Sequence, residues 1–401
     1  MKKRLVSLLL SAVMVVGVLA GCGTTDTGGD AAAGDDAAAS GDVSSSDSSN
    51  GDGMEGTHVF MFKSTGNSFG DLMYEGFEEV MTAAGEKVSY QSPAETTVEA
   101  QVSMIDELIT QKIASLTIST NGDTGYDEVL AKAEAAGIKV VSVDSEVDPG
   151  LRVTHVSQAS TAGVGSNLVQ AAVLIVLGVD YEGLDMDMEA VLEKELANYS
   201  GAEINIGVLS ASIDTPVQNG WIAAMEEELQ KDMYKGKVNS GLDKKYGNDE
   251  LVESTNQANA FVSEDKVDVI ISPTTVGIAA AGQVISSSDS DIKLTGLGLP
   301  SEMQNFVPTS ADDDAFTYVC PYMMLWDVID LGRLTAAATL ASYNGDYTGE
   351  VGEEVSLDAF GDYGARTFTT VESESGEGTT LVLGDPFVFY KGNMAEWIDK
   401  L

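Results

Sequence analysis

Ser115–Asp144, SLTISTNGDTGYDEVLAKAEAAGIKVVSVD, is the stretch on which the fold turns. Apolar and β-branched residues crowd Ser115–Ser119 and again Lys139–Asp144, each run short enough for a buried strand and too short for a helix. Between them Asp127–Ala136 has an amphipathic helical pattern, closed by Gly137, a residue that accepts the left-handed backbone of a helix C-cap. Two strands joined through a helix of this length pair in parallel, with a right-handed crossover.

The same alternation extends in both directions. Upstream, His58–Phe62 and Val88–Gln91 read as strands and Gly70–Ala84 and Val98–Gln111 as helices. Downstream the cycle restarts with a helix over Ala162–Leu177, a strand over Ile204–Leu209, a helix over Thr215–Leu229 and a strand over Lys237–Ser240. Leu251–Val262, Val267–Ile271, Val276–Ser286 and Lys293–Gly296 continue it. Two βα series in tandem predict an α/β protein of two doubly wound parallel-sheet lobes. The β-rich segments Val153–Gln158 and Thr317–Cys320, with hairpin material over Thr367–Tyr390, are read as crossings between the lobes and make a multi-strand hinge. The expected division is an N-terminal lobe over 57–158, completed by about 326–346, and a C-terminal lobe over 159–325, completed by about 347–401.

The beginning of the chain has a different character. Lys2, Lys3 and Arg4 precede an apolar run, Leu5–Ala20, too short to span a bilayer comfortably, and Leu19-Ala20-Gly21-Cys22 ends it with small residues. This resembles the lipobox of bacterial lipoproteins, so 1–21 is read as a signal peptide and Cys22 as the lipidated new N-terminus. Residues 23–56 are almost entirely Gly, Ala, Ser, Thr and Asp and read as a disordered tether, giving with Cys22 a linker over 22–56. The expected location is the extracytoplasmic side of the cell membrane, held by buried acyl chains rather than by a transmembrane helix.

The formal charge is −43. Setting aside the three cations of the leader and the eight acidic residues of 23–56 leaves −38 on Thr57–Leu401, a field that repels nucleic acid and anionic lipid surfaces. The acidic clusters Asp180–Glu195 and Asp312–Asp314 read as solvated surface, and neither has calcium-loop spacing. With Cys22 lipidated, Cys320 is left as a single thiol in strand-like Phe316–Cys320, unable to form an internal disulfide. Only His58 and His155 are available as a base for it, each among strand residues, so no catalytic set, metal site or cofactor is expected and the chain is read as a monomeric binding protein rather than an enzyme.

In open α/β sheets ligands bind beyond the carboxyl ends of the strands. Those ends fall at Lys63–Phe69, Thr120–Asp123, Asp144–Glu146, Ser210–Gln218, Ser272–Thr275 and Gly298–Pro300, rich in amides, hydroxyls and carboxylates, with Phe69, Trp221 and Trp326 nearby. Carboxylates and amides bond hydroxyl pairs and aromatic faces cover the C–H surface of a sugar ring, a mixture suited to a neutral polyol.

At these residues the chain resembles the type 1 periplasmic sugar-binding proteins that feed ABC importers. Lys63-Ser64-Thr65-Gly66-Asn67-Ser68-Phe69 looks like the family's first-strand loop, and Val141–Glu146 like the segment whose Asp takes a hydroxyl pair. Tyr90–Glu95, Asp144–Pro149, Gln218–Trp221 and Leu325–Val328 are similar to the rhamnose-binding and autoinducer-binding branch. The resemblance implies a ligand set of Lys63, Asn67, Phe69, Asp144, Ser145, Gln218, Pro273, Thr274, Trp326 and Asp327, with Gln218 and Asp327 suited equally to helix caps and Trp221 to the core. It implies a sugar or deoxysugar ligand, ABC permease subunits as partners, and, in an alternative reading, a membrane signalling protein to which bound sugar is presented. Val217 stands where the autoinducer branch has a carboxylate, and Pro273-Thr274-Thr275 lacks its Ala, which speaks against the autoinducer as ligand. Asp144→Ala is expected to weaken binding by about 2–4 kcal/mol and to leave folding almost unchanged.

Cys22→Ser is expected to release the protein into the medium or to leave it unprocessed. Detergent-phase partitioning and intact mass check this, and identical behaviour of variant and wild type would refute the lipid anchor.

Overall fold

Thr57–Met61 (β1) is buried along its whole length, and its side chains alternate between two apolar layers. Phe60 clusters with Met73 and Phe77 on one face, whereas Val59 and Met61 cluster with Ile105, Leu108 and Leu130 on the other. A strand covered on both faces has no polar side, hence the apolar run Val59–Phe62 in its sequence. Of its two buried polar residues, Thr57 and His58, the histidine is satisfied by Ser115 Oγ, 2.7 Å from Nδ1.

The computed structural model describes residues 53–357, 364–374 and 376–401. The leader, Cys22 and the linker through residue 52 lie outside the described residues. After β1 come α1 (Ser68–Ala83), β2 (Lys87–Gln91), α2 (Val98–Thr110), β3 (Ser115–Ile118), α3 (Asp127–Ala135), β4 (Lys139–Val143) and β5 (His155–Ser157). The second series runs α4 (Thr161–Val176), α5 (Met188–Asn198), β6 (Ile206–Ser210), α6 (Pro216–Glu228), β7 (Asp243–Tyr246), α7 (Leu251–Glu264), β8 (Val269–Ser272), α8 (Thr275–Ser286) and β9 (Lys293–Gly296). The chain ends with α9 (Pro300–Met303), β10 (Met323–Leu325), α10 (Val328–Asn344), β11 (Glu354–Leu357), β12 (Arg366–Thr369), β13 (Val371–Glu372), β14 (Thr379–Val382) and β15 (Phe387–Phe389).

Two parallel sheets result, as the crossover argument requires. The first has the order β13-β14-β5-β4-β3-β1-β2, antiparallel only at β13-β14, and the second the order β7-β6-β8-β9. The chain passes from the first to the second at residues 158–160, between β5 and α4. It returns after β10, because α10 packs along α1 and Thr339 Oγ1 lies 2.9 Å from Thr117 Oγ1 of β3. It passes a third time between β14, which pairs with β5, and β15, which pairs with β10.

Three expectations change. The strand expected at Lys237–Ser240 is a single bridge, Val238 to Ile204; the chain then bends, and the true edge strand is β7. β7 is Asp-Lys-Lys-Tyr, and its lysines pair with Glu226 and Glu264 at the surface, so it has no apolar signature to read. Phe316–Cys320 is not a strand: Ala315–Thr317 is a 3-10 turn capped by Asp314, and Lys293 Nζ holds the carbonyls of Phe316 and Tyr318. Cys320 is nonetheless fully buried, and burial raises its thiol pKa. Finally, Thr367–Tyr390 is distributed over several partners: β12 pairs with β11, β14 extends the first sheet, and β15 covers β10 beside the second. Strand pairing thus places 379–382 with the first sheet, although 347–401 was read as completing the C-terminal lobe.

α1 and α10 touch backbone to backbone. A Cβ on Gly76 would lie 1.9 Å from the Ile329 carbonyl oxygen, and one on Gly332 would lie 1.9 Å from that of Met73. Neither oxygen can retreat, since each belongs to a helical backbone. Gly332→Ala is therefore expected to destabilise the protein by about 2–3 kcal/mol through forced separation of the helices. A urea midpoint unchanged from wild type would contradict this close approach.

Candidate ligand-binding cleft

Loops at the carboxyl ends of both sheets converge on a cleft with about 350 Å³ of empty space, its open mouth included. The first sheet supplies Phe62, Lys63, Asn67 and Phe69 after β1 and Asp144 after β4. The second side supplies Gln218 and Trp221 from α6, Asp249 after β7, Pro273, Thr274 and Thr275 after β8, Leu297 after β9, and Leu325 and Trp326 at β10.

The first wall carries an ion pair. Lys63 Nζ lies 2.7 Å from Asp144 Oδ2, with the two side chains only 3% and 4% exposed. Ser119 Oγ donates to the same oxygen at 2.8 Å and Gln158 Nε2 to Oδ1 at 2.9 Å, so ends of β3 and β5 also bind this carboxylate. Asp144 has φ +63, a left-handed conformation unfavourable for a residue with a Cβ, which turns the chain sharply and aims its carboxylate across the strand ends. The Lys63 loop is fixed from beneath, where Asn121 Nδ2 donates to the Lys63 carbonyl at 2.9 Å.

The aromatic surface joins Trp221 and Trp326 of the second side to Phe69 of the first. Trp326 meets Phe69 edge to face at 6.1 Å between centroids, and Trp221 at 5.9 Å, so three rings form one apolar surface. Two polar atoms of the second side, Trp326 Nε1 and Gln218 Oε1, are buried without a protein partner among the described residues. One is a donor and the other an acceptor, and buried polar groups of this kind call for a partner supplied from elsewhere. The cavity can bind a small molecule with both hydroxyl and C–H surface.

Of the residues predicted from sequence, Lys63, Asn67, Phe69, Asp144, Gln218, Pro273, Thr274 and Trp326 line the cavity. Asn67 also caps α1, its Oδ1 accepting from the N–H groups of Phe69 and Gly70. Ser145 and Asp327 do not line it. Ser145 folds back beneath the strand ends, where its carbonyl accepts from Thr120 N and its N–H donates to Ser119 Oγ. Asp327 accepts from Asp330 N and caps α10, as an acidic residue just before a helix favours. Trp221, read as core, is both buried and part of the lining.

Asp249 escaped sequence reasoning altogether because the strand before it was placed at Lys237–Ser240, so the turn after Tyr246 did not register as a strand end. Its pKa is raised by burial, with the nearby Asp144 adding to the rise and Lys63 and Thr274 opposing it. The histidines are engaged elsewhere. His58 sits in the core, and His155 Nδ1 lies 3.0 Å from Ser142 Oγ, its pKa pushed down to about 3 by burial and by Arg152. Among the described residues no group of three or more His, Cys, Asp or Glu is placed to hold a metal ion.

Residues 58–346 match the family model described as a periplasmic binding protein domain. Among solved structures, an ABC transporter solute-binding protein from Clostridium phytofermentas with bound L-rhamnose is 33% identical, with a TM-score of 0.74, over 86% of this chain and 99% of that one. A sugar ABC transporter protein from Actinomyces odontolyticus is 28% identical, with a TM-score of 0.58, over 86% of this chain and 98% of that one. LsrB from Clostridium saccharobutylicum in complex with AI-2 shares the fold at 21% identity and a TM-score of 0.69, over 85% of this chain and 99% of that one.

The geometry revises the expectation that Asp144 can be removed without affecting folding. Asp144→Ala strands a buried ammonium and two donors, so it is expected to cost about 3–5 kcal/mol of stability, with the double variant Lys63→Met/Asp144→Ala losing less. Chemical denaturation of the three proteins checks this; equal stability of Asp144→Ala and wild type would show that the pair carries no structural role.

Proposed function

Because the chain belongs to the periplasmic binding protein family, we propose that it is an extracytoplasmic solute-binding lipoprotein that captures a neutral sugar or deoxysugar and delivers it to an ABC importer. The observation that carries this reading is the cleft itself, with a buried ion pair beside an aromatic surface that holds an unpartnered donor and acceptor. A pyranose satisfies both. Its hydroxyls reach Lys63, Asp144 and Gln218, its ring oxygen or a hydroxyl accepts from Trp326 Nε1, and its C–H face lies on Phe69 and Trp326.

A deoxysugar fits the aromatic wall especially well, because a methyl group there removes apolar surface from water without leaving a hydroxyl unpaired. L-Rhamnose is the first ligand to test, since it is bound by the relative that is 33% identical. Asn67, Pro273 and Thr274 complete the walls in this reading, while Ser145 and Asp327 support the strand ends and α10. The three connections between the sheets serve as the hinge, dividing the folded region into two lobes. Ligand bound by both walls favours the closed arrangement, which is the form offered to the permease. Lipidation at Cys22 keeps this monomeric receptor beside its transporter.

Calorimetry is expected to show L-rhamnose binding with a dissociation constant of micromolar order, and small-angle scattering a decrease in radius of gyration of about 1 Å at saturation. Absence of heat across a panel of monosaccharides and deoxysugars would sink the sugar assignment. Binding without compaction would replace the hinged receptor with a static binding module.

A further inference from the structure

Asp249 is placed as a binding residue and is poorly explained as a structural one. It follows β7 in a turn in which Asn248 and Asp249 both adopt left-handed backbone, with φ of 56 and 53. Neither is glycine, and consecutive residues persist there only where the surroundings impose it. They do so here: Gly247 N donates to the Ser210 carbonyl at 2.8 Å and Asn248 N to that of Ala211 at 3.2 Å, pinning the turn to the end of β6. The result is a carboxylate facing Lys63 and Asp144 across the cavity.

Thr274 supplies a second observation. It occupies the N-cap of α8, yet its side chain makes no capping bond, and its hydroxyl donates instead to Asp249 Oδ1. That is the only hydrogen bond to the Asp249 side chain among the described residues. Asp144, by contrast, already accepts from Lys63, Ser119 and Gln158. A carboxylate has about four lone-pair positions, so Asp144 has little capacity left and Asp249 has most of its own.

We infer that Asp249 is the principal hydroxyl acceptor of the cleft, reaching the ligand from the second wall, and that Asp144 acts mainly by holding Lys63. The inference deepens the sugar-receptor reading and rests on it. Two carboxylates around one ammonium leave the cavity with no net positive charge, which selects a neutral polyol with adjacent hydroxyls and rejects ligands bearing carboxylate or phosphate.

Asp249→Asn keeps the size of the side chain and an oxygen for Thr274 while removing the charge. Titrated with L-rhamnose, it is expected to bind at least about thirtyfold more weakly than wild type. Its thermal midpoint should be unchanged or raised, since a half-buried carboxylate opposed by Asp144 is relieved. Affinity within threefold of wild type, or a lowered midpoint with intact affinity, overturns the inference and makes Asp249 an anchor of its turn. If the wild type gives no heat with L-rhamnose, D-arabinose or glycerol, the sugar reading fails separately. In that case a lowered midpoint in Asp249→Asn overturns this inference too, and a raised one upholds the under-bonded, half-buried carboxylate on which it stands.

Discussion

The buried ion pair between Lys63 and Asp144 is the constraint around which the cleft is organised. Burying an ammonium and a carboxylate costs several kcal/mol per ion, and their mutual attraction offsets this only when the remaining hydrogen-bonding capacity is satisfied. Ser119 and Gln158 provide that satisfaction from the ends of β3 and β5. One carboxylate therefore ties together the tips of β1, β3, β4 and β5, neighbours in the same sheet. The strained backbone at Asp144 is the local cost of this arrangement, and it is tolerated because four elements depend on the position of the carboxylate.

The Lys63–Asp144 ion pair and the two tryptophans stand on separate walls, and the separation has a physical reason. An ammonium and carboxylate fully enclosed by hydrocarbon would favour neutralisation, whereas three rings facing water would favour collapse onto one another. A polyhydroxylated ring placed between them meets both needs. Its hydroxyls would also reach Trp326 Nε1 and Gln218 Oε1, two of the buried polar atoms that have no hydrogen-bond partner among the described residues.

Much of this was legible in the residues. β1, β3, β4 and β8 are apolar runs of strand length because both of their faces are covered, and the helices between them have ordinary amphipathic spacing. Once the strands were placed, the rule that ligands sit at their carboxyl ends led directly to Lys63, Asp144, Gln218 and Thr274. It failed at β7, whose Asp-Lys-Lys-Tyr sequence reflects an edge exposed to water and surface ion pairs, and Asp249 was lost with it. Ser145 and Asp327 adjoin cavity residues in sequence, but one folds under the strand ends and the other caps a helix. Proximity along the chain does not determine where a side chain points.

The triple crossing of the chain between the sheets bears on the order in which the protein can fold. α1 needs α10 as its packing partner, and β5 acquires its outer neighbour only when β14 is available. A polypeptide appearing from its N-terminus onward thus has an unfinished first sheet until about residue 382, with the entire second sheet already emerged. Closing contacts of such sequence separation is slow, because the entropy of a long loop must be overcome before any apolar surface is gained. The same connectivity that lets two walls share one cleft leaves the first sheet incomplete for most of the chain's synthesis.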